Sequence, residues 1–368
     1  MRICLIASSQ FPIAEPFAGG LEAHTHAMAR TLLERGHEVT LFAGAGSDPE
    51  LNAELLLPEE FCGSETGRRD ISAKPEEWMQ QHHAYLGLML RLAQEFQQTG
   101  RPRFDVIHNN SLHHLPVAMS SLVPTPIITT LHTPPTPWLE SAISYAGPEA
   151  TFAAVSRATA EAWSDVVSAE VVTNGVDIQR WSPGPGGTEA VWTGRLVPEK
   201  APHLAIDAAR LAGFRIHLAG PVMDQDYFTT EVLPRLDDTA IYRGHLHQDE
   251  LRELVGGSAV AVVSSQWDEP YGLVAAEAMA CGTPVAAFPR GGLVENVSAT
   301  SGVLAAENTA EALADAIRQA AELDRSGVRA WAEKSLSLER MVRDYEMLYD
   351  RAAHPHGAGQ AQTARAAA

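Results

Sequence analysis

Lysine is almost missing from this chain. Lys74, Lys200 and Lys334 are the only three in 368 residues, and arginine does not make up the difference, because the formal charge is −19. So acidic a chain excludes the clustered cations that grip a nucleic-acid backbone or an anionic lipid surface. The first half hides no basic face either: residues 1–165 hold ten Lys/Arg against nineteen Asp/Glu. Cysteine is as sparse. Cys4, Cys62 and Cys281 show neither metal-ligand spacing nor an even disulfide set, so a reducing cytoplasm is the expected compartment. No apolar run approaches the roughly 20 residues of a membrane span. The opening MRICLIASSQFP lacks the long apolar core and small-residue cleavage site of a leader. The nucleophile elbow G-x-S-x-G and the phosphate loop G-x-x-x-x-G-K-[ST] are absent as well.

What is present is an alternation. RICLIAS reads as a strand, LEAHTHAMARTLLERG as a helix closed by Gly36, and HEVTLFAG as the next strand. After an aperiodic polar stretch from about 47 to 74 comes the long helical EEWMQQHHAYLGLMLRLAQEF, then the strand-like FDVIHNN, TPIITTL and ATFAAVS. Short, continuous apolar runs are the mark of parallel strands covered on both faces. The pattern breaks at SPGPGG and restarts with EAVWTGRL, FRIHLAG, AVAVVSS and TPVAAFP. The length suits two domains. The expected division is residues 1–168 and residues 169–337, with a helix over about 338–352 returning to the first domain and a loose tail at 353–368. Both domains are expected to be doubly wound α/β, with closure about the SPGPGG segment and the C-terminal crossing helix.

In such sheets ligands meet the carboxyl ends of strands and the starts of helices. SSQWDEPYGL precedes the apolar LVAAEAMA, so the free N–H groups near Gly272, Leu273 and Val274 form an anion site. Glu277 lies within that apolar helix and needs donors. A ribose would supply two hydroxyls, leaving Glu269 to reach a second sugar beyond a diphosphate; a core arginine or solvent is the alternative for Glu277. WTGRLVPEK adds Arg195 and Lys200 as phosphate cations, or as a solvated pair. Gly19 and Gly20 in FAGGLEAH permit close backbone approach, or make a plain turn, and are not the G-x-G-x-x-G arrangement. Base contacts are expected from backbone around Gly220 and over Arg243, Gly244, His245 and Leu246. His132 ends a strand beside a proline-stiffened loop, as a cleft histidine or a structural one. His24 with His26, His82 with His83, and His113 with His114 are too close in sequence for zinc geometry.

Taken in order, GGLEAHTHAMARTLLERGHEVTLFA, LHTP, FAAVSRA, TNGVD, GRLVPEK, EPYGLVAAEAMACGTPVAA and RGGLVENV resemble glycosyltransferase family 4, over about residues 1–350. The resemblance implies the GT-B architecture, two Rossmann-like doubly wound parallel-sheet domains facing across a cleft. It also implies a retaining transferase that moves a sugar from a nucleoside-diphosphate sugar, UDP- or GDP-linked, to an acceptor hydroxyl. Glu277 would bind ribose and Glu269 the transferred sugar. Arg195 and Lys200 would neutralise the diphosphate with backbone at Gly20, Leu273 and Val274, and His132 would sit near the reacting sugar. Ser156 and Asn174 match positions of the cleft and linker and are taken as structural. Protein cations and a helix start meet the charge on the leaving diphosphate, so neither a metal nor another cofactor is expected. The acidic first domain departs from relatives that act on anionic phospholipid, which favours a soluble sugar or small-molecule acceptor. The competing readings are an inactive nucleotide-sugar binder and a sugar-nucleotide epimerase on the same scaffold.

Overall fold

The computed structural model describes residues 1–147 and 149–354. The chain begins with β1 (Arg2–Ile6), β2 (Glu38–Ala43), β3 (Ala53–Leu55), β4 (Val106–Asn109), β5 (Ile127–Leu131), β6 (Thr151–Ala154) and β7 (Glu170–Val171), which form one sheet in the order β3-β2-β1-β4-β5-β6-β7. A second sheet follows from β8 (Ala190–Thr193), β9 (Ile216–Ala219), β10 (Ala240–Tyr242), β11 (Val260–Val263), β12 (Val285–Ala287) and β13 (Gly302–Leu304), ordered β10-β9-β8-β11-β12-β13. Every named pair is parallel. These are the two doubly wound parallel sheets expected from the alternation, in the GT-B architecture that the resemblance implies. β3, β7, β10 and β13 escaped the sequence reading, being edge strands of two or three residues. β7 also carries the first sheet past the expected division at 168–169.

Side-chain alternation on β1 shows why both faces must be covered. Ile3 and Leu5 pack with Met28 and Leu32 of the Gly20–Glu34 helix, whereas Cys4 and Ile6 pack with Tyr85, Leu88 and Met89 of the Glu76–Thr99 helix. The Leu338–Ala353 helix returns to the first sheet and buries Met341, Val342, Tyr345 and Tyr349 there. Its tyrosines satisfy polar groups on buried strands. His108 is held between the Tyr349 hydroxyl at 2.6 Å and the Thr130 hydroxyl at 2.7 Å, and Tyr345 meets Thr130 at 2.9 Å. This helix runs to Ala353, and the remainder of the expected tail, 355–368, lies outside the described residues.

The chain passes between the lobes twice, and the two passages are stitched together. Val176 N–H donates to Leu336 at 2.8 Å and Leu338 N–H to Val176 at 2.9 Å. The Arg340 guanidinium donates to the carbonyls of Thr173 and Asn174, both at 2.8 Å. The SPGPGG segment, expected to share the closure with the C-terminal crossing helix, is built into the second lobe. Gly184 N–H donates to Cys281 and Gly186 N–H to Gly256, and a Cβ on Gly184 would stand 2.4 Å from Gly256 backbone. Its glycines serve close packing, so any hinge belongs at the stitched passages.

Candidate active site

In each sheet the strand order reverses once, between β1 and β4 and between β8 and β11, where a crevice opens at the carboxyl ends. The loops leaving those strands line one cleft of about 340 Å³ between the lobes. It takes in Gly19, Gly20, His132, Arg195, Lys200, His245, Leu246, Glu269, Gly272, Leu273, Val274 and Glu277, so residues far apart in sequence converge. Gly244 stands behind the wall, its carbonyl accepting the Gly220 N–H at 2.9 Å.

The second-lobe wall is packed down to bare backbone. Gly220 has φ +145°, and a Cβ on it would lie 1.9 Å from the Gly194 carbonyl oxygen, so no side chain fits beneath Arg195. Gly272, at φ +86°, starts the Leu273–Ala280 helix, and a Cβ there would strike Leu293 at 2.5 Å. The first N–H groups of that helix lack intrahelical acceptors and present partial positive charge to the cleft. Gly20 comes from the other lobe to meet them: a Cβ on it would be 3.0 Å from the Leu273 side chain.

Charges are distributed unevenly across this wall. The Lys200 ammonium pairs with Glu269, whose same oxygen accepts the Ser265 hydroxyl, and lies 5.0 Å from the Trp267 ring centre. Glu269 is 5% exposed, so the expected phosphate cation and the expected sugar ligand hold each other. Arg195 makes no ion pair or side-chain hydrogen bond among the described residues. The Glu277 carboxyl has no hydrogen-bond partner among them either, and burial pushes it up to about 8. A carboxylate kept in a cleft without donors costs stability.

On the first-lobe wall His132 Nε2 lies 3.0 Å from Asn110 Oδ1. An amide oxygen only accepts, so Nε2 carries the proton and Nδ1 keeps its lone pair. Burial, with His24 and His108 nearby, holds this imidazole well below its usual range and therefore neutral. His24 stands edge-on to it, ring centres 5.1 Å apart, with both nitrogens buried and unpartnered. His245, expected to contact a base, donates to the Phe17 carbonyl at 2.9 Å and ties the lobes together. Ser156 caps the Arg157–Ala162 helix by accepting from Thr159 N–H at 3.0 Å, a structural role, whereas Asn174 lines the cleft with its side-chain oxygen unpartnered.

Two cleft residues were missed in the sequence. Glu22, 5% exposed, faces the cleft within the field of Arg195, and burial raises its carboxyl. His24 was weighed only against a zinc geometry with His26. Their positions, two and four residues after Gly20 at a helix start, were the available clue.

Similarity to known proteins agrees with this geometry. Residues 18–180 match the family described as Glycosyltransferase Family 4, and residues 178–335 match Glycosyl transferases group 1. The chain belongs to glycosyltransferase family 4. It is a glycosyltransferase. Glycogen synthase of Mycobacterium tuberculosis H37Rv is 28% identical, over 86% of this chain and 85% of the relative. D-inositol 3-phosphate glycosyltransferase of Mycolicibacterium smegmatis is 27% identical, over 98% and 94%. The fold is shared with Anabaena HepE in complex with UDP and glucose, at TM-score 0.71 and 20% identity over 95% of this chain and 99% of that one. It is shared also with AviGT4, a glycosyltransferase involved in avilamycin A biosynthesis, at TM-score 0.70 and 22% identity over 97% and 98%. Transfer of a sugar from a nucleotide sugar is the activity these relationships support. No helix among the described residues is long and apolar enough to cross a membrane.

Proposed function

We propose that the enzyme is a retaining transferase that takes its sugar from a UDP- or GDP-sugar, needs no metal, and delivers it to a soluble sugar or small-molecule acceptor. The observation that carries this reading is one cleft lined by the unpartnered Glu277 carboxyl, in the helix that starts at Leu273, by the unpaired Arg195 and by the bare backbone of Gly19 and Gly20. Each feature is costly without a ligand, and one ligand relieves all of them: a diphosphate for the cation and the helix N–H groups, an adjoining ribose for the carboxylate. The UDP and glucose bound by Anabaena HepE favour uridine.

Bond cleavage leaves negative charge on the diphosphate and positive charge on the anomeric carbon. Arg195, Lys200 and the Leu273 and Val274 N–H groups are aimed at the first. Lys200 answers to it while still held by Glu269, which places that carboxylate beside the sugar. The acceptor attacks from the face the diphosphate leaves and gives its proton to the departing phosphate, so the anomeric configuration is kept. Neutral His132, with its free Nδ1, lies against the reacting sugar and accepts from a hydroxyl there.

The test is to incubate the protein with UDP-glucose, GDP-mannose and other nucleotide sugars, with EDTA present, and follow nucleotide release and product anomers by NMR. An α-linked product from an α-linked donor, formed at an unchanged rate in EDTA, is the expected result. An inverted product, or activity restored only by manganese, would overturn the reading.

A further inference from the structure

Three of the histidines disqualified in sequence as metal ligands, His82, His113 and His114, combine with two tryptophans into something else. Trp78 and His82 on the Glu76–Thr99 helix, His113 and His114 after β4, and Trp138 after β5 form a closed circuit of neighbouring rings, three of its contacts stacked and two tilted. Centre-to-centre distances are 5.2 Å for Trp78–His82, 6.3 Å for His82–His113, 4.4 Å for His113–His114, 5.6 Å for His114–Trp138 and 6.4 Å for Trp138–Trp78. Tyr85 stacks on His113 at 4.4 Å and anchors the circuit to the cleft wall, because its hydroxyl donates to Ala7 and accepts from the Ser9 N–H. Leu112, adjacent to His113, lines the cleft itself.

The circuit is not core. Trp138 is 58% exposed, and Trp78, His113 and His114 are half-buried. A cluster of large rings left partly in water, one residue from a cleft-lining Leu112, marks a binding surface more often than a packing accident. Nor is it built as a metal cage, although the nitrogens of His82, His113 and His114 lie within 4.8 Å of one another. His113 and His114 are stacked at 23°, so their in-plane lone pairs run side by side and do not converge. His113 Nδ1 already accepts the Leu115 N–H at 3.2 Å, which puts its proton on Nε2 and takes that lone pair away. Burial also keeps the imidazoles of His113 and His114 low in pKa and uncharged, so the surface offers no cation to a phosphate or carboxylate.

We propose that this circuit binds an uncharged acceptor oligosaccharide, one sugar ring lying with its C–H face on Trp138 and Trp78 and its rim hydroxyls meeting the imidazoles, beside the cleft where the reacting sugar enters. The chemistry is that of an amphipathic disc: an apolar ring face wants an aromatic plane, and a hydroxylated rim wants neutral donors and acceptors. It rests on the glycosyl-transfer reading of the cleft and adds the acceptor class to it.

Binding of maltotetraose, cellotetraose and mannotetraose to the full chain, measured by calorimetry with and without UDP, tests the assignment. At least one tetrasaccharide should bind the wild-type protein, and Trp138→Ala and Trp78→Ala should each weaken it about tenfold while UDP affinity is unchanged. Because Trp138 is exposed, Trp138→Ala should melt as the wild type does, so a lost interaction is not lost folding. The proposal is overturned if no tetrasaccharide binds, or if both variants bind as wild type. It is overturned also if zinc alone binds one-to-one and His82→Ala abolishes that binding. Failure of UDP to bind would instead strike the donor reading, while the tetrasaccharide titration without nucleotide still tests the circuit.

Discussion

The two walls of the cleft are made from different materials. The second lobe supplies fixed charge in Arg195, the Lys200–Glu269 pair and a helix start, with the titratable Glu277 carboxyl among them, set on backbone so close that Gly220 has no room for a Cβ. The first lobe supplies rings without charge: His132, His24 and the circuit around His113. The contrast teaches where the difficult part of the proposed reaction lies. Charge has to be met at the departing diphosphate, and a rigid, preorganised wall meets it without reorganisation. An acceptor hydroxyl asks only for placement, which neutral rings and amides supply.

The comparison breaks most sharply at Arg195. If the second-lobe wall is the catalytic one, Arg195→Ala should lower kcat/KM by about a hundredfold to a thousandfold, the usual loss for one preorganised donor to developing charge. It should leave the melting temperature unchanged, since Arg195 holds no ion pair in the fold. Lys200→Ala should cost activity too, but it would leave Glu269 buried without its cation, so some stability goes with it. Steady-state rates and thermal melts on both variants separate the effects. Full activity in the pair would assign the charge-bearing role elsewhere.

Glu277 sharpens the comparison through pH. Burial raises its carboxyl from 4.5 to about 8. Between those values the folded protein keeps a proton that the unfolded chain has released, so stability falls as pH rises through that window. Glu277→Gln removes the decline. The ligand-free variant should therefore melt above wild type at pH 8.5 and alongside it near pH 4. Its UDP affinity should drop about tenfold to a hundredfold, the worth of hydrogen bonds to a charged group. Binding of UDP to wild type at pH 7 should release protons, visible as a buffer-dependent calorimetric enthalpy, and the variant should lose that dependence. Unchanged UDP affinity would mean that the carboxylate does not face the nucleotide.

Much of the second-lobe wall was legible because its chemistry is local. Gly194, Arg195 and Lys200 fall within seven residues, and Glu269 through Glu277 within nine, so a strand, a turn and a helix start put them on one surface. The first-lobe wall is assembled across distance. His24, Asn110 and His132 come from a helix and two strand ends that only the sheet order brings together. The same is true of the ring circuit, whose members looked like poor ligand pairs while each was compared only with its neighbour in sequence. Charge state was illegible for another reason. Local spacing put Lys200 and Glu269 each at the cleft, but 69 residues part them, and only the fold brings the ammonium and the Ser265 hydroxyl onto one Glu269 oxygen. The SPGPGG half of the expected hinge was hard to read because glycine and proline serve close packing as readily as flexibility, as Gly184 against Gly256 shows.

The smallest expected effect concerns how the walls are held face to face. Glu295 of the second lobe accepts the N–H groups of Arg157 at 3.1 Å and Ala158 at 2.7 Å, capping a first-lobe helix from across the gap, while Ser156 caps the same helix from within its own lobe. Loss of either cap should cost about 1 kcal/mol, roughly 2–4 °C of melting temperature in lobes of this size. Their consequences for the reaction should differ. Glu295→Ala loosens one lobe against the other and admits water, so donor hydrolysis should rise relative to transfer. Ser156→Ala should melt as early and leave that ratio alone. Nucleotide release measured with and without acceptor in the two variants distinguishes a cap that only builds a helix from one that also keeps the charged wall closed on the neutral one.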